Sequence, residues 1–235
     1  MDLEDYRVIK APPTIIYVPN FITKENEEYL LKNIYSAPKP KWTQLSHRRL
    51  QNWGGLPHPK GMVIESLPQW LQPSINEVEK LKIFEDKKPN HVLVNEYQTG
   101  QGIMPHEDGP LFYPTVATIS LSSPILLDFY HHMNSSTENN AENSESDTSL
   151  QERHFLSLLL EPRSLIIVKD SMYTNHLHGI SERAEDIITD KIMKNHYKFN
   201  PNRTQIWILK MFSQHCTLNH YFKLNKSCLF NTSQP

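Results

Sequence analysis

Cysteine is almost missing from this 235-residue chain, with Cys216 and Cys228 the only two. They match no zinc spacing and are too few for a disulfide framework, so neither a zinc finger nor a disulfide-stapled module is expected. Glycine is scarce too, seven residues against seventeen prolines, which predicts turns and stiff connections rather than a helical bundle. No apolar run approaches the ~18 residues of a membrane span, and the opening MDLEDYRVIK has no apolar signal core. An intracellular chain without membrane attachment is expected, and the N-x-S/T triplets at Asn134, Asn202, Asn225 and Asn231 are then not glycosylated. A net charge of −2 excludes a global basic field, so any nucleic-acid binding has to come from a local patch.

What is present is a core with polar interruptions. Hydrophobic residues are 38% of the chain and aromatics 10%, although mean hydropathy is −0.55. The spacing predicts a helix after Thr23, with Glu25, Glu27 and Glu28 early and Leu30, Leu31 and Ile34 facing inward. A second helix is predicted within 68–83, with Ser74 and Glu77 as a capping box inside it or at its start. Between them lies SAPKPKWTQLSHRRLQNWGGLPHPKG, read as irregular. From His91 the texture changes to short β-branched and aromatic runs: HVLVNEY, Thr115–Leu121, ILLDFY, FLSLLL, SLIIV and RTQIWILKMF. Such a succession suggests a sandwich or barrel. Residues 134–149, NSSTENNAENSESDTS, have the composition of a disordered surface insertion. Residues 181–202 form a second excursion with a partly helical composition, and the tail from 216 has little pattern.

The stretch GIMPHEDGP, residues 102–110, carries the chemistry. In an extended backbone His106 and Asp108 share a face. A histidine and a carboxylate are two-thirds of the 2-His-1-carboxylate set that holds non-haem Fe(II). H-x-D alone recurs by chance. The third ligand has to come from a distant strand that returns beside the first, and twelve histidines compete for the role. His176 and His178 in TNHLHGI share a face just past SLIIV. His131, His132 and His154 flank the insertion and are poorer candidates.

NHVLVNEYQTGQGIMPHEDGP, LLLEPRSLIIV, LHGI and the arginine-bearing strand beyond resemble the AlkB family of Fe(II)- and 2-oxoglutarate-dependent dioxygenases. The stretches KPKWTQLSHRRLQNWGGLPHPKGM and PHEDGPLFYPTVATISL are similar to one branch of it, and the likeness spans most of residues 10–210. The resemblance implies an α+β, mainly β fold, with a double-stranded β-helix (jelly-roll) core and N-terminal helices and a lid region packed on it. In that reading residues 1–88 are the helices and nucleotide-recognition lid, integral to one domain. Residues 89–215 are the dioxygenase core, and 216–235 a tail. The resemblance also implies Fe(II), O₂ and the cosubstrate 2-oxoglutarate, with His106, Asp108 and His178 as iron ligands. His178 is preferred to His176 because it directly precedes Gly179-Ile180. Asn95 and Tyr97 match the positions that reach 2-oxoglutarate, and Arg203 the clamp on its distal carboxylate. A second family arginine, six residues on, falls on Leu209, so that cation is expected to be missing. Period-two alternation is expected to turn Lys210 to the opposite face.

The segment between Glu28 and Glu65 has no acidic residue. It holds Lys32, Lys39, Lys41, Arg48, Arg49 and Lys60, with Trp42 and Trp53 among them. Cations neutralise phosphates and an aromatic face stacks a base, so Lys41, Trp42, Arg48, Arg49 and Trp53 are the candidate contacts to alkylated DNA or RNA. The equally simple reading is a solvated basic loop whose tryptophans plug the core. Two functions follow from different classes. One is an oxidative demethylase or dealkylase of alkylated nucleic acid, coupled to succinate and CO₂ formation, monomeric, in cytoplasm and nucleus. The other is an AlkB-like binding module for nucleic acid or protein with weak or no turnover.

Overall fold

Thr23 starts the first helix as its sequence predicts. Its hydroxyl accepts the Asn26 amide at 3.2 Å, capping α1 (Lys24–Ser36), and Leu30 and Ile34 are buried beneath it. Glu27 is buried as well. Its carboxylate accepts the Ser122 amide at 2.7 Å and the Arg163 guanidinium at 2.9 Å, which pins the helix to the sheet it covers. The computed structural model describes residues 1–9, 11–12, 14–58, 61–133, 149–186, 192–193 and 206–214. The second helix enters through a 3-10 turn, Gln69–Leu71, and α2 runs Gln72–Lys80 with Pro73 in its first turn. Ser74 is buried inside the helix and is not its cap. Two single-turn helices follow, α3 (Leu150–Arg153) and α4 (Ser171–Thr174).

The strands are β1 (Ile15–Val18), β2 (Trp42–Leu45), β3 (Arg48–Trp53), β4 (Gly55–His58), β5 (Gly61–Ile64), β6 (His91–Tyr97) and β7 (Ile103–His106). They continue as β8 (Phe112–Leu121), β9 (Ile125–His131), β10 (His154–Leu160), β11 (Leu165–Lys169), β12 (His176–Ile180), β13 (Ile192–Met193) and β14 (Ile206–Gln214). Seven of them form a major sheet in the order β1-β11-β8-β14-β6-β3-β2, five a minor sheet in the order β13-β10-β9-β12-β7, and β4 and β5 a hairpin. The major sheet therefore has two buried faces. Val92, Val94, Ala117, Ile119, Leu209 and Met211 meet Leu30, Ile34, Ile75 and Val78 of the helices. Tyr97, Val116, Ile208 and Phe212 meet Ile125, Leu127, Phe129 and Leu158 of the minor sheet. Helices, large sheet and small sheet make three layers, the jelly-roll architecture with its helices on one side.

Two expectations change. The segment read as irregular contains β2 and β3, and β3 pairs with β6 from Arg49↔Glu96 to Trp53↔Val92. WTQL and RRLQNW lack apolar alternation, and their strand form comes from pairing onto the sheet rather than from propensity. Ile192–Met193, in the helix-like composition of 181–202, is a strand parallel to Ser157–Leu158. The insertion 134–148, most of 187–205 and the tail from 215 lie outside the described residues.

Candidate metal centre

Register brings the histidines together. β12 lies antiparallel to β7 with His178 opposite His106, and their ring centroids are 4.5 Å apart. Gly179 permits that approach, because a Cβ there would stand 2.9 Å from the Ile103 carbonyl oxygen. Asp108 follows two residues beyond His106, and Gly109 turns the chain away at φ +86°. One ligand atom each from His106, Asp108 and His178 fits within a 4.8 Å span. His106 Nδ1 donates to the Met104 carbonyl at 2.9 Å, which in the neutral ring leaves the Nε2 lone pair for a metal, 3.7 Å from Asp108 Oδ1. His178 Nε2 is 3.5 Å from Asp108 Oδ2. Burial lowers the His178 pKa to about 4, with the Lys210 cation acting in the same sense, so this ring is neutral at pH 7. Burial alone would raise the Asp108 carboxyl, but the Lys210 ammonium outweighs it, and the carboxyl is held well below its ordinary range. Two imidazole lone pairs and one carboxylate facing a common point suit Fe(II).

His176 shares the face of His178 but not the centre. Its Nδ1 lies 3.1 Å from the Ser171 carbonyl oxygen, and its ring packs 5.1 Å from Phe155 and 5.5 Å from His131.

The expectation for β14 is overturned. Leu209 is fully buried against the helices, opposite Val94 and Ile119. Lys210 faces inward, and its Nζ lies 3.0 and 3.3 Å from the Asp108 oxygens and 2.8 Å from His178 Nε2. No bulge is involved, since pairing to β6 is regular from Ile206 to Phe212. Alternation holds, but its phase is set by Ile208 lying opposite Asn95, not by counting from Arg203. Arg203 lies outside the described residues.

Asn95 and Tyr97 lie on the inner face of β6, each 2% exposed. Asn95 Oδ1 and Ser120 Oγ, on strands flanking Ile208, are buried with no hydrogen-bond partner among the described residues. Such orphaned atoms beside a pocket are what a polar ligand would satisfy. The pocket runs past Tyr97, Thr118, Ile208 and Tyr173 to Lys210 and His178. Burial pushes both phenols up, so they are O–H donors at neutral pH. Tyr173 donates to the Gly109 carbonyl at 3.3 Å and so braces the Asp108 turn. Tyr173 carries no sequence signal beyond its residue type, whereas Lys210 stands next to the second-arginine position and alternation counted from Arg203 assigns it to the wrong face.

The five candidate substrate residues divide. Arg49 pairs with buried Glu96, Nη2 to Oε1 at 3.1 Å, and its guanidinium lies 4.2 Å from the Trp42 ring. Lys41 pairs with Glu65 at 2.9 Å and sits 4.4 Å over Trp53, whose indole donates to Gln51 at 3.0 Å. Those four tie β2 and β3 to each other and to β6 and Glu65. Arg48 instead lines a groove of about 450 Å³ with Ser46, His47, Met104, Glu182 and His106, and its Nε is buried without a partner among the described residues.

Residues 20–208 match the family model of the 2OG-Fe(II) oxygenase superfamily. The chain is 51% identical over 193 residues to "Probable RNA/DNA demethylase ALKBH6" of Danio rerio, covering 82% of this chain and 80% of that protein. Among solved structures it is similar to OsALKBH1, with a TM-score of 0.54 at 12% identity over 87% of this chain and 98% of that one. A 2OG-Fe(II) oxygenase family oxidoreductase from Burkholderia pseudomallei gives 0.51 at 10% identity over 92% and 91% of the two chains. The two structures attest the fold, and the family model and the Danio rerio relative attest the lineage. The chain belongs to the 2OG-Fe(II) oxygenase superfamily and, within it, to the AlkB family of 2-oxoglutarate-dependent dioxygenases.

Proposed function

We propose that the chain is an oxidative demethylase or dealkylase of alkylated DNA or RNA, acting as a monomer in nucleus and cytoplasm. The observation that carries this is the groove beside His106, into which Arg48 brings a cation with an unpartnered Nε. The relative named a probable RNA/DNA demethylase supports the same substrate class. His106, Asp108 and His178 hold Fe(II), and Asn95, Tyr97 and Arg203 bind 2-oxoglutarate. With O₂, the bound iron and cosubstrate supply an oxidation that turns 2-oxoglutarate into succinate and CO₂ and hydroxylates a substrate C–H. On an N-methyl group the hydroxylated carbon leaves as formaldehyde. The chain's own groups position and desolvate. Tyr97 donates its O–H, the Asn95 amide donates its N–H, and Arg48 meets a phosphate or base edge at the groove mouth.

Succinate and formaldehyde are to be measured with Fe(II) and 2-oxoglutarate, with and without methylated DNA and RNA oligonucleotides. A methyl-dependent rise in both products is expected. Succinate that no methylated oligonucleotide stimulates would overturn the substrate class. Absence of all turnover would favour the binding module, a reading that the Lys210 ammonium among the metal ligands makes specific.

A further inference from the structure

Lys210 presents an unusual juxtaposition, an ammonium held by two of the three residues suited to bind the metal. Its Nζ takes the lone pair of His178 Nε2 at 2.8 Å and both Asp108 oxygens at 3.0 and 3.3 Å. The same lone pairs would bind a divalent cation, so a proton-bearing nitrogen and a metal ion exclude one another there. At such separations two cations repel strongly in a site where Lys210 is 12% and Asp108 8% exposed. The backbone cannot yield, because β14 is paired on both sides, Lys210 opposite Leu93 and opposite Thr118. The four-carbon stem can, and lysine's compact charge on rotatable bonds suits a group with two positions.

Where the ammonium can go is restricted. Residues lining the adjoining pocket include Tyr97, Thr118, Tyr173 and Ile208, and among the described residues none that lines it is a carboxylate. A buried ammonium without a counter-ion is strongly disfavoured. An anionic ligand in that pocket would supply the counter-ion, and 2-oxoglutarate carries two carboxylates. We propose that Lys210 is an internal competitor for the metal, released from Asp108 and His178 when a dicarboxylate enters the pocket, so that metal and cosubstrate bind cooperatively through it. The inference rests on the metal assignment above. It adds a thermodynamic consequence, because whatever the cosubstrate does to metal affinity, the metal does equally to cosubstrate affinity.

Mn(II), which does not turn over, serves as the probe. Full-length wild type, Lys210→Met and Lys210→Gln are stripped of metal and titrated with Mn(II) by calorimetry, with and without saturating 2-oxoglutarate. Thermal melts check that each variant is folded. Without 2-oxoglutarate the two neutral variants should bind Mn(II) at least about tenfold more tightly than wild type. Saturating 2-oxoglutarate should tighten wild type by a larger factor than either variant. Lys210→Arg, which keeps the charge, should stay on the weak side. Equal or weaker Mn(II) binding by both neutral variants overturns the competitor role while leaving the metal site intact. Failure of every protein to bind one Mn(II), with or without 2-oxoglutarate, overturns the metal assignment and this inference with it.

Discussion

Two aspartates, the half-buried Asp108 in the turn after β7 and the buried Asp128 on β9, have opposite company. Asp128 accepts the Ser157 hydroxyl at 2.5 Å and the Ser181 hydroxyl at 2.7 Å, with Arg183 at 3.7 Å. His154 reaches it through Ser157, Nε2 to Oγ at 2.8 Å. Every neighbour there can be a donor, so the carboxylate is satisfied by the protein. Asp108 has for neighbours the ring nitrogens of two histidines at 3.7 and 3.5 Å. With the N–H of a neutral His106 spent on Met104, its other ring nitrogen has only a lone pair to turn to the carboxylate. Acceptors facing an acceptor need a cation between them, and Lys210 supplies one. The contrast separates an aspartate satisfied by the protein from one suited to bind a metal.

The largest expected effect falls on one side of that contrast. His106→Ala or Asp108→Ala should cut Fe(II)-dependent succinate formation by more than the ~10–100-fold typical of outer-shell partners, with far-UV circular dichroism preserved. His178→Ala should match them, and His176→Ala should do much less; the reverse order would reassign the distal ligand.

Asp128→Ala should behave oppositely. It removes the acceptor of the Ser157 and Ser181 hydroxyls while Arg183 keeps Asp186 at 2.9 Å, so urea unfolding should show a loss of about 2 kcal/mol while one Mn(II) still binds. Retained stability would mean that the network is not structural.

Smaller and pH-dependent is the effect of His91. Burial between Phe112 and Phe212 lowers its pKa to about 4. The unfolded chain, with a pKa near 6.5, then binds the extra proton between those values. Stability contributed by neutral His91 is complete above pH ~6.5 and declines as pH falls towards ~4, by up to about 3 kcal/mol. In metal-free protein His178 behaves alike, so His91→Leu should flatten, not abolish, the acid-side slope of stability against pH. An unchanged slope would locate the titration elsewhere.

The smallest effect is expected from deleting residues 134–149, which join β9, carrying Asp128, to β10, carrying Ser157. Their polar composition buries little and loop closure depends weakly on length, so stability should move by no more than about 0.5 kcal/mol. A larger loss would tie the insertion to the Asp128 network.

Much of the site is legible in the chain because period-two spacing survives into the fold. Asn95 with Tyr97, and His176 with His178, each share a face as their alternation requires. Thr23 capping and the runs HVLVNEY and SLIIV become the elements their side chains favour. Alternation, however, states only which residues lie together, never which face meets which neighbour. The pairing of His178 with His106 singles out one histidine of the pair, and Ile208 opposite Asn95 turns Lys210 inward and Leu209 out. Likewise, the cations of 32–60 look equivalent in sequence. Glu96 and Glu65, distant along the chain, engage Arg49 and Lys41, and Arg48 is left to line the groove. Local spacing determines relative direction along one strand; absolute direction, and the partner that a charge finds, come only from the strands and side chains packed around it.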